Sequence, residues 1–459
     1  MKKSIYLLLV LLPTFSFTQI SMNPSSPKSE KWMNVGNAGF SAGRADYVSL
    51  AISNTGQPFV AYQDYASPAA VTVMKFNGTN WSNEGDPGFS GVEASDISLA
   101  ISPTGQPFVA YSDGKHENKA TVKKFDGTNW VDVGIVGFSA GSTRFLSLKF
   151  SPTDENPYVA FQDYANTHKA TVMKFDGTTW INVGNAGFSL SDANYTNLAF
   201  DDSGCPFVAY GDVGNGGKVS VKKFDGTNWV TVGSEGFSAN SVICLSFAFS
   251  PDGLPYVAYD EYLNGTGATV KNFDGSNWVT VGNAGFTNGY VTYISLAFNI
   301  SGQPNVAFKE SQYSGKISVK KFDGTAWVNV GNAGFSSNIA QFINLVFNSS
   351  GVPYVTYSDG GNLQKTTVMK FDFPDGIFDL HELTFSIFPN PATNCMTIET
   401  TAIPAKSQLS ILNVNGKKCI TRQITEPNTI IDVSTLTSGV YFMRLTGEKT
   451  VVTRKFVKL

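Results

Sequence analysis

The sequence has few of the residues that mark disulfide frameworks, metal centres and nucleic-acid interfaces. Its 459 residues include four cysteines and three histidines, and its 33 lysines and arginines nearly balance its 36 aspartates and glutamates. Four cysteines are too few for disulfides to be the main support of a chain of this size. The formal net charge is −3 and no block of like charge is present, so neither nucleic acid nor an anionic membrane surface is expected as a partner.

Recognisable catalytic motifs are also absent from the sequence. None of His116, His168 and His381 has a partner at ligand spacing, and the repeated Asp-Gly-Thr-Asn turns lack the alternating oxygen ligands of a calcium loop. The sequence contains no nucleophile elbow, phosphate loop or zinc motif. We therefore predict no catalytic residue, no metal site and no cofactor.

The N-terminus has the pattern of a secretory signal. Lys2 and Lys3 precede an apolar run over residues 5–12, and small residues follow near Thr18. This pattern predicts a signal peptide at residues 1–18, followed by a short N-terminal segment at residues 19–30. No later run approaches the eighteen apolar residues that a membrane-spanning helix needs, so no integral membrane segment is expected in the mature chain.

What the sequence has in abundance is a repeat with a period of 49 residues. Its seven tryptophans keep this interval, with one interval of 50, and lie at Trp32, Trp81, Trp130, Trp180, Trp229, Trp278 and Trp327. Seven prolines keep the same interval and lie at Pro58, Pro107, Pro157, Pro206, Pro255, Pro304 and Pro353. Such a period is typical of propellers and solenoids.

Each repeat contains four strand-like runs. In the first repeat these are Val48–Ser53, Phe59–Gln63, Val71–Phe76 and Trp81–Gly85, with Asn77-Gly78 as the hairpin turn of the last pair. The chain starts with a lone fourth strand and ends the repeats with three strands, so that joining the two ends completes a seventh unit. A solenoid does not bring its two ends together, so it would not need one unit divided between them. We therefore predict an all-β, seven-bladed β-propeller over residues 31–373.

After a predicted linker at residues 374–383, residues 384–459 have no tryptophan and no repeat. Three ordered stretches, "FSIFPNPATN", "LSILNVNGK" and "LTSGVYFMRLTGEKTVVTRKFVKL", occur there. In these stretches the chain resembles the type A sorting domain of the type IX secretion system of Bacteroidetes. The residues that carry the motif are Pro389, Asn390, Pro391, Gly416, Gly439, Tyr441 and Lys458.

The resemblance implies a small immunoglobulin-like β-sandwich and the type IX secretion machinery as its partner. It implies export through the periplasm to the outer-membrane surface or the extracellular space, as the signal peptide does independently. An accessory sandwich without a sorting role is the alternative. Cys205 and Cys244 are expected to be unpaired, and a disulfide between Cys395 and Cys419 is left open.

Two sets of repeated side chains are the candidate ligand contacts. An acid ends the second strand of every blade, at Asp64, Asp113, Asp163, Asp212, Glu261, Glu310 and Asp359. A phenylalanine follows glycine in every connection between blades, at Phe40, Phe89, Phe138, Phe188, Phe237, Phe286 and Phe335. Both sets are expected on one face, where carboxylates and aromatic rings can hold sugars. The alternative is structural, because an acid after a strand commonly accepts N–H bonds from its own turn and a repeated phenylalanine packs between blades.

The near-identity of the repeats argues against an enzyme, because catalysis needs different groups converging on one centre. The sequence is therefore interpreted as a non-catalytic, monomeric surface or secreted propeller that binds glycans or proteins, gaining avidity from repeated weak sites. Two alternatives remain: an enzyme acting on polysaccharide or protein in the axial funnel, and a purely structural surface protein.

Overall fold

The computed structural model describes residues 31–261, 267–287, 289–372, 385–400, 408–413, 417–424, 426, 428–446 and 451–459. The predicted signal peptide (1–18), N-terminal segment (19–30) and linker (374–383) lie outside the described residues, as do His381 and Gly416. Within these ranges the regular elements are β-strands and five short 3-10 turns, and none of them is a helix long and apolar enough to cross a bilayer. The predicted all-β class is confirmed.

The repeats form seven four-stranded antiparallel sheets, as predicted. Consecutive strands are neighbours in six of them, and the outer strand of the seventh comes from the N-terminal end of the repeats. The first strands are Ala45–Ile52, Ala94–Ile101, Thr143–Phe150, Ala193–Phe200, Val242–Phe249, Val291–Phe298 and Ala340–Phe347. The second strands are Pro58–Asp64, Pro107–Asp113, Pro157–Asp163, Pro206–Asp212, Pro255–Glu261, Pro304–Glu310 and Pro353–Asp359.

The third and fourth strands form the outer half of each blade. The third strands are Ala70–Phe76, Lys119–Phe125, Lys169–Phe175, Lys218–Phe224, Ala268–Phe273, Lys316–Phe322 and Lys365–Asp372. The fourth strands of blades one to six are Trp81–Asn83, Trp130–Asp132, Trp180–Asn182, Trp229–Thr231, Trp278–Thr280 and Trp327–Asn329. The 3-10 turns are Gly114–His116, Tyr164–Asn166, Val213–Asn215, Ser311–Tyr313 and Gly360–Asn362.

The N-terminal strand Lys31–Asn34 closes the ring. It pairs antiparallel with the third strand of blade seven, where Trp32 lies opposite Phe371. The same sheet continues through the second and first strands of that blade. The predicted closure is therefore confirmed, and the third strand of blade seven is not left as an open sheet edge.

Local sequence explains the shape of each blade. The first and second strands are joined by a tight turn in which Gly56 takes a φ of +80°, a conformation that glycine adopts without a steric penalty. A proline begins every second strand, where a missing N–H costs least. All seven residues of Pro58–Asp64 are buried, which agrees with a strand covered by neighbouring blades on both faces.

The apolar core of the propeller is divided into layers between adjacent blades. One layer combines Phe59 and Ala61 of blade one with Ile97, Leu99 and Trp130 of blade two. Equivalent clusters recur around the ring. Each blade is therefore stabilised mainly by its two neighbours, which is the physical reason that closure matters.

The C-terminal region forms two sheets. The order in one is Phe385–Phe388, Cys395–Thr400, Asn428–Asp432, and in the other Lys418–Gln423, Gln408–Asn413, Gly439–Thr446, Val451–Lys458. Met396, Ile398 and Ile431 of the first sheet pack with Ile411 and Met443 of the second in one apolar core. The predicted sandwich is confirmed. Its two cysteines are free and exposed, and Cys205 and Cys244 are free as well.

Candidate functional site

The seven acids at the ends of the second strands are interior groups. Their exposed fractions are 7% or less, with Asp212 at 0% and Glu261 the highest. The Asp64 carboxylate accepts the hydroxyl of Thr72 at 2.9 Å through one oxygen and the N–H of Ala66 at 2.9 Å through the other. The third-strand hydroxyl is repeated at Thr121, Thr171, Ser220, Ser318 and Thr367.

The same hydroxyls also fix the connections between blades. The Thr72 oxygen accepts the N–H of Gly88, and this bond recurs in all seven blades. Glu261 differs, because it accepts from the N–H of Ala239 and the amide of Asn240 instead. The expectation that these acids face a ligand is corrected here: buried carboxylates with these internal donors have no surface left for one.

The seven phenylalanines of the connections pack against the tryptophan of the following blade. Phe138 stacks on Trp180 with ring centroids 4.1 Å apart, and the other six pairs lie at 4.2–4.5 Å. Each tryptophan Nε1–H donates to a backbone carbonyl of the preceding blade, as Trp180 does to Val133 at 2.7 Å. These rings connect neighbouring blades. Only Phe138 is buried and the other six are partly exposed, so their role as ligand contacts stays a prediction.

The first strands of all seven blades surround an axial channel of about 750 Å³. At mid-height, a side chain from each blade accepts a backbone N–H of the next blade, as Ser49 does from Leu99 at 3.0 Å. We call these seven residues the belt: Ser49, Ser98, Ser147, Asn197, Ser246, Ser295 and Asn344. The bond from the Leu50 N–H to Asn344 joins blade one to blade seven and completes the circle.

The residues two positions before the belt lie on the side of one mouth of the channel. We call them the collar: Tyr47, Asp96, Phe145, Tyr195, Cys244, Tyr293 and Phe342. Of these, Tyr47, Asp96, Phe145 and Phe342 line the channel directly. Six of the seven have a φ between +49° and +57°, and Cys244 is the exception. Each of the six lies in a β-bulge, because the register between first and second strands shifts there. Bulges of this kind re-aim side chains, and strained backbone concentrates at functional sites.

The collar rings form two aromatic arcs. In one arc Phe342 contacts Tyr47 at 5.2 Å and Tyr293 at 5.3 Å between ring centroids. In the other, Phe145 and Tyr195 lie 5.0 Å apart. All five rings are partly exposed. Asp96 separates the arcs on one side and Cys244 on the other, so this mouth lacks the symmetry of the repeats.

Charged groups that occur in single blades surround the collar. The Arg44 guanidinium pairs with the Asp46 carboxylate at 2.7 Å, and Lys309 Nζ lies 5.7 Å from the centroid of the Tyr293 ring. Burial raises the pKa of Asp96, while the N–H of Phe145 and the charge of Arg144 act in the opposite direction. Burial and then the Asp96 charge raise the pKa of Tyr47.

The collar and its charged neighbours were not predicted from the sequence. The first strand was expected from Val48 and begins at Ala45, so the collar positions fell in a predicted loop. A signal was available: this column of the repeat contains tyrosine, phenylalanine, aspartate and cysteine, while most other columns are nearly constant.

In the described part of the chain, no group of three or more histidine, cysteine, aspartate and glutamate side chains is placed to hold a metal ion. His116 Nδ1 lies 2.9 Å from an Asp113 carboxylate oxygen, and His168 Nδ1 lies 3.2 Å from one of Asp192.

The residues of the sorting motif hold the C-terminal end of the sandwich together. The Asn390 amide oxygen accepts the N–H of Val457 at 2.9 Å. Tyr441 is buried, and its hydroxyl donates to the Thr437 carbonyl at 3.0 Å. Gly439 lies opposite the buried Lys458 in the last strand pair. Pro389 and Pro391 are exposed and flank Asn390.

Comparison with known proteins identifies the C-terminal region. Residues 386–459 match the family model described as the secretion system C-terminal sorting domain, which confirms the predicted resemblance and implies export by the type IX system. No curated protein matches the chain.

Several solved structures are similar to this chain. PorZ, a surface component of the type IX secretion system of Porphyromonas gingivalis, is 15% identical with a TM-score of 0.49; the match covers 91% of this chain and 60% of PorZ. A PL25 ulvan lyase is 12% identical over 72% of this chain and 94% of the lyase, with a TM-score of 0.46. The Aleuria aurantia lectin, in complex with Fucα1-6GlcNAc, is 16% identical over 65% of this chain and 98% of the lectin, with a TM-score of 0.42.

Proposed function

We propose that this protein is an exported, non-catalytic glycan-binding propeller whose ligand site is the collar. The sorting-domain match supports export to the cell surface or the extracellular space, and binding at the collar is the further step. The observation that carries it is the asymmetric mouth, where five partly exposed aromatic rings meet single-blade polar groups.

Sugar rings suit this chemistry. Their C–H faces pack on aromatic rings, and their hydroxyls need hydrogen-bond partners placed beside those rings. The arc of Tyr47, Tyr293 and Phe342 supplies the apolar surface. Asp96, whose charge adds to burial in raising the pKa of Tyr47, supplies an acceptor. Arg144, whose guanidinium lies 4.9 Å from the centroid of the Phe145 ring in the other arc, supplies a donor. The Tyr47 and Tyr293 hydroxyls add donors at the edge of the arc.

The collar is one composite site, so the expected stoichiometry is one ligand per chain. Avidity from seven equivalent sites was predicted from the repeated acids and phenylalanines, but the acids lie in the interior and the phenylalanine rings stack on tryptophans. One site of mixed chemistry needs the full ring, because no single blade contains both an aromatic arc and its polar partners.

A glycan array probed with the full chain tests the proposal. Tyr47→Ala and Phe342→Ala should each weaken binding to the recognised glycan by about tenfold, since each removes a stacking surface. Tyr164→Ala is the matched control, because Tyr164 is an exposed tyrosine in a 3-10 turn outside the collar. Equal losses for all three variants, or binding to protein ligands alone, would contradict the proposal.

A catalytic role is a second candidate, favoured by one observation. Asp96 has a raised pKa beside Tyr47, which is a property of general acids. The same glycans should therefore be assayed for release of new chain ends. Turnover that is lost in Asp96→Asn, with binding retained, would replace the binding proposal by an enzymatic one.

A further inference from the structure

The belt leaves hydrogen-bond donors without partners inside the channel. Each belt oxygen accepts one backbone N–H from the adjacent blade, which uses the acceptor side of the group. Among the described residues, none of the five serine hydroxyls or the two asparagine amides donates to a protein acceptor. All seven line the channel. The lumen at this height is therefore bordered by unused O–H and N–H donors.

One lysine lies beside this belt. Lys149 is two residues after Ser147 on the same strand, so both side chains point to the same side, with Cα atoms roughly 7 Å apart. The equivalent residues in the other blades are small and apolar: Ala51, Ala100, Ala199, Ala248, Ala297 and Val346. Lys149 lines the channel and has no ion-pair partner in the described part of the chain.

Lys149 is a cation without a charged partner in the described part of the chain. Its side chain is exposed to the lumen, and the loss of hydration inside the channel lowers the pKa of its ammonium group. Asp96 and Asp202 also line the channel, but neither forms an ion pair with Lys149 and neither offsets this lowering of its pKa. An anion bound beside it would do so, and would also accept the unused belt donors.

We infer that the axial channel contains an anion-binding site formed by the Lys149 ammonium and the donors of the belt. The ligand class is a small oxyanion or the acidic substituent of a larger molecule, that is, a carboxylate, sulfate or phosphate group. The site is distinct from the collar, because Lys149 lies four residues beyond Phe145 towards the opposite mouth, roughly 13 Å along the strand.

Calorimetric titration of the full chain with sodium sulfate, sodium glucuronate and neutral glucose tests this site. Sulfate and glucuronate should bind with one site per chain, and glucose should not. Lys149→Ala should weaken both anions by about tenfold or more, because it removes a charge-assisted contact. This variant places in blade three the residue that five other blades have at this position, so the fold should be unaffected.

A relocated charge separates a local effect from a general one. In the double variant Lys149→Ala/Ala297→Lys, the ammonium enters the same layer of the channel from blade six, and anion binding should return. Affinity should also fall as pH rises through the pKa of Lys149, because only the protonated amine attracts the anion. Equal anion affinity in wild type and Lys149→Ala, no binding to the wild type at millimolar anion, or no recovery in the double variant would overturn the inference. None of these outcomes depends on whether the collar binds glycans.

Discussion

At the residue scale, the distinctive feature of this propeller is a set of bulky side chains held at positive φ. Tyr47, Phe145, Tyr195, Tyr293 and Phe342 occupy a left-handed conformation that costs an ordinary residue about 1–2 kcal/mol. Contacts between neighbouring rings hold them in place. Tyr47, Phe145 and Phe342 line the channel at this mouth, which is where the proposed function needs aromatic rings.

This strain can be measured by comparing two truncations at one position. Phe342→Gly should be more stable than Phe342→Ala by about 1 kcal/mol, because only glycine adopts this φ without a penalty. Both variants lose the same ring, so the difference reports the backbone alone. Urea denaturation of the full chain gives the two free energies of unfolding. Since glycine is normally the less stable residue in a strand, an alanine variant as stable as the glycine variant would show that the conformation is unstrained.

Asp260 gives a prediction about pH. It is fully buried, one carboxylate oxygen accepts the N–H of Val291 at 2.7 Å, and the other has no partner among the described residues. Burial, with a smaller contribution from Glu261, raises its pKa from 3.8 to about 6. The folded state therefore holds this proton more tightly than the unfolded state does, and ionisation destabilises the fold as pH rises from 3.8 through about 6.

Asp260→Asn should remove this pH dependence. The stability of the variant relative to wild type should rise across that window, by at most about 3 kcal/mol, and level off above it. Chemical denaturation at a series of pH values measures the difference. A constant difference between the two proteins would show that Asp260 ionises with an ordinary pKa.

Part of this residue-level picture could be predicted from sequence. That Asp64 accepts an N–H of its own turn follows from local rules, and the structure shows this bond. The bond from Thr72 could not be predicted, because two residues eight positions apart meet only when the strand register is known. The stacking of Phe89 on Trp130 could not be predicted for the same reason, because the two residues are far apart in the sequence and meet only in the folded structure.

At the scale of elements, most strands were predicted to within a residue or two. The third strand was expected at Val71–Phe76 and spans Ala70–Phe76. The first strand was the main error, since it begins at Ala45 and was expected from Val48. The bulge between Asp46 and Ser49 interrupts the alternation of side chains, and alternation is the signal from which strands are predicted.

The closing strand is the element whose removal tests the ring. Deleting residues 19–36 should destabilise the propeller by more than about 3 kcal/mol, because it removes Trp32, which stacks on Phe335 and donates to the Val330 carbonyl in the interior. A deletion of residues 19–30 is the matched control, since it keeps the strand Lys31–Asn34. Calorimetric melting compares the two. Equal melting temperatures would mean that the strand contributes nothing to closure.

At the scale of the whole molecule, the candidate site exists only after seven blades close. The collar rings of blades six, seven and one meet across the junction between the two ends of the repeat region, where Phe342 contacts both Tyr293 and Tyr47. No single repeat encodes this meeting. The seven-bladed architecture could therefore be predicted from the number of tryptophans. The site could not, because it depends on contacts between residues of different blades.

In the proposed function, export depends on the sorting domain and ligand binding depends on the propeller. Residues 386–459 match a family whose role is export, and the collar and channel belong to the repeats. Glycan recognition should thus depend on collar residues and be unaffected by changes within the sandwich.

The most direct test is a crystal structure of the full chain bound to an oligosaccharide selected on the array. The account predicts one sugar ring stacked on the arc of Tyr47, Tyr293 and Phe342, with a hydroxyl in hydrogen-bond contact with Asp96. Sugar bound instead in the groove between blades three and four, beside Tyr158, Lys174 and Cys205, with the collar empty, would contradict it.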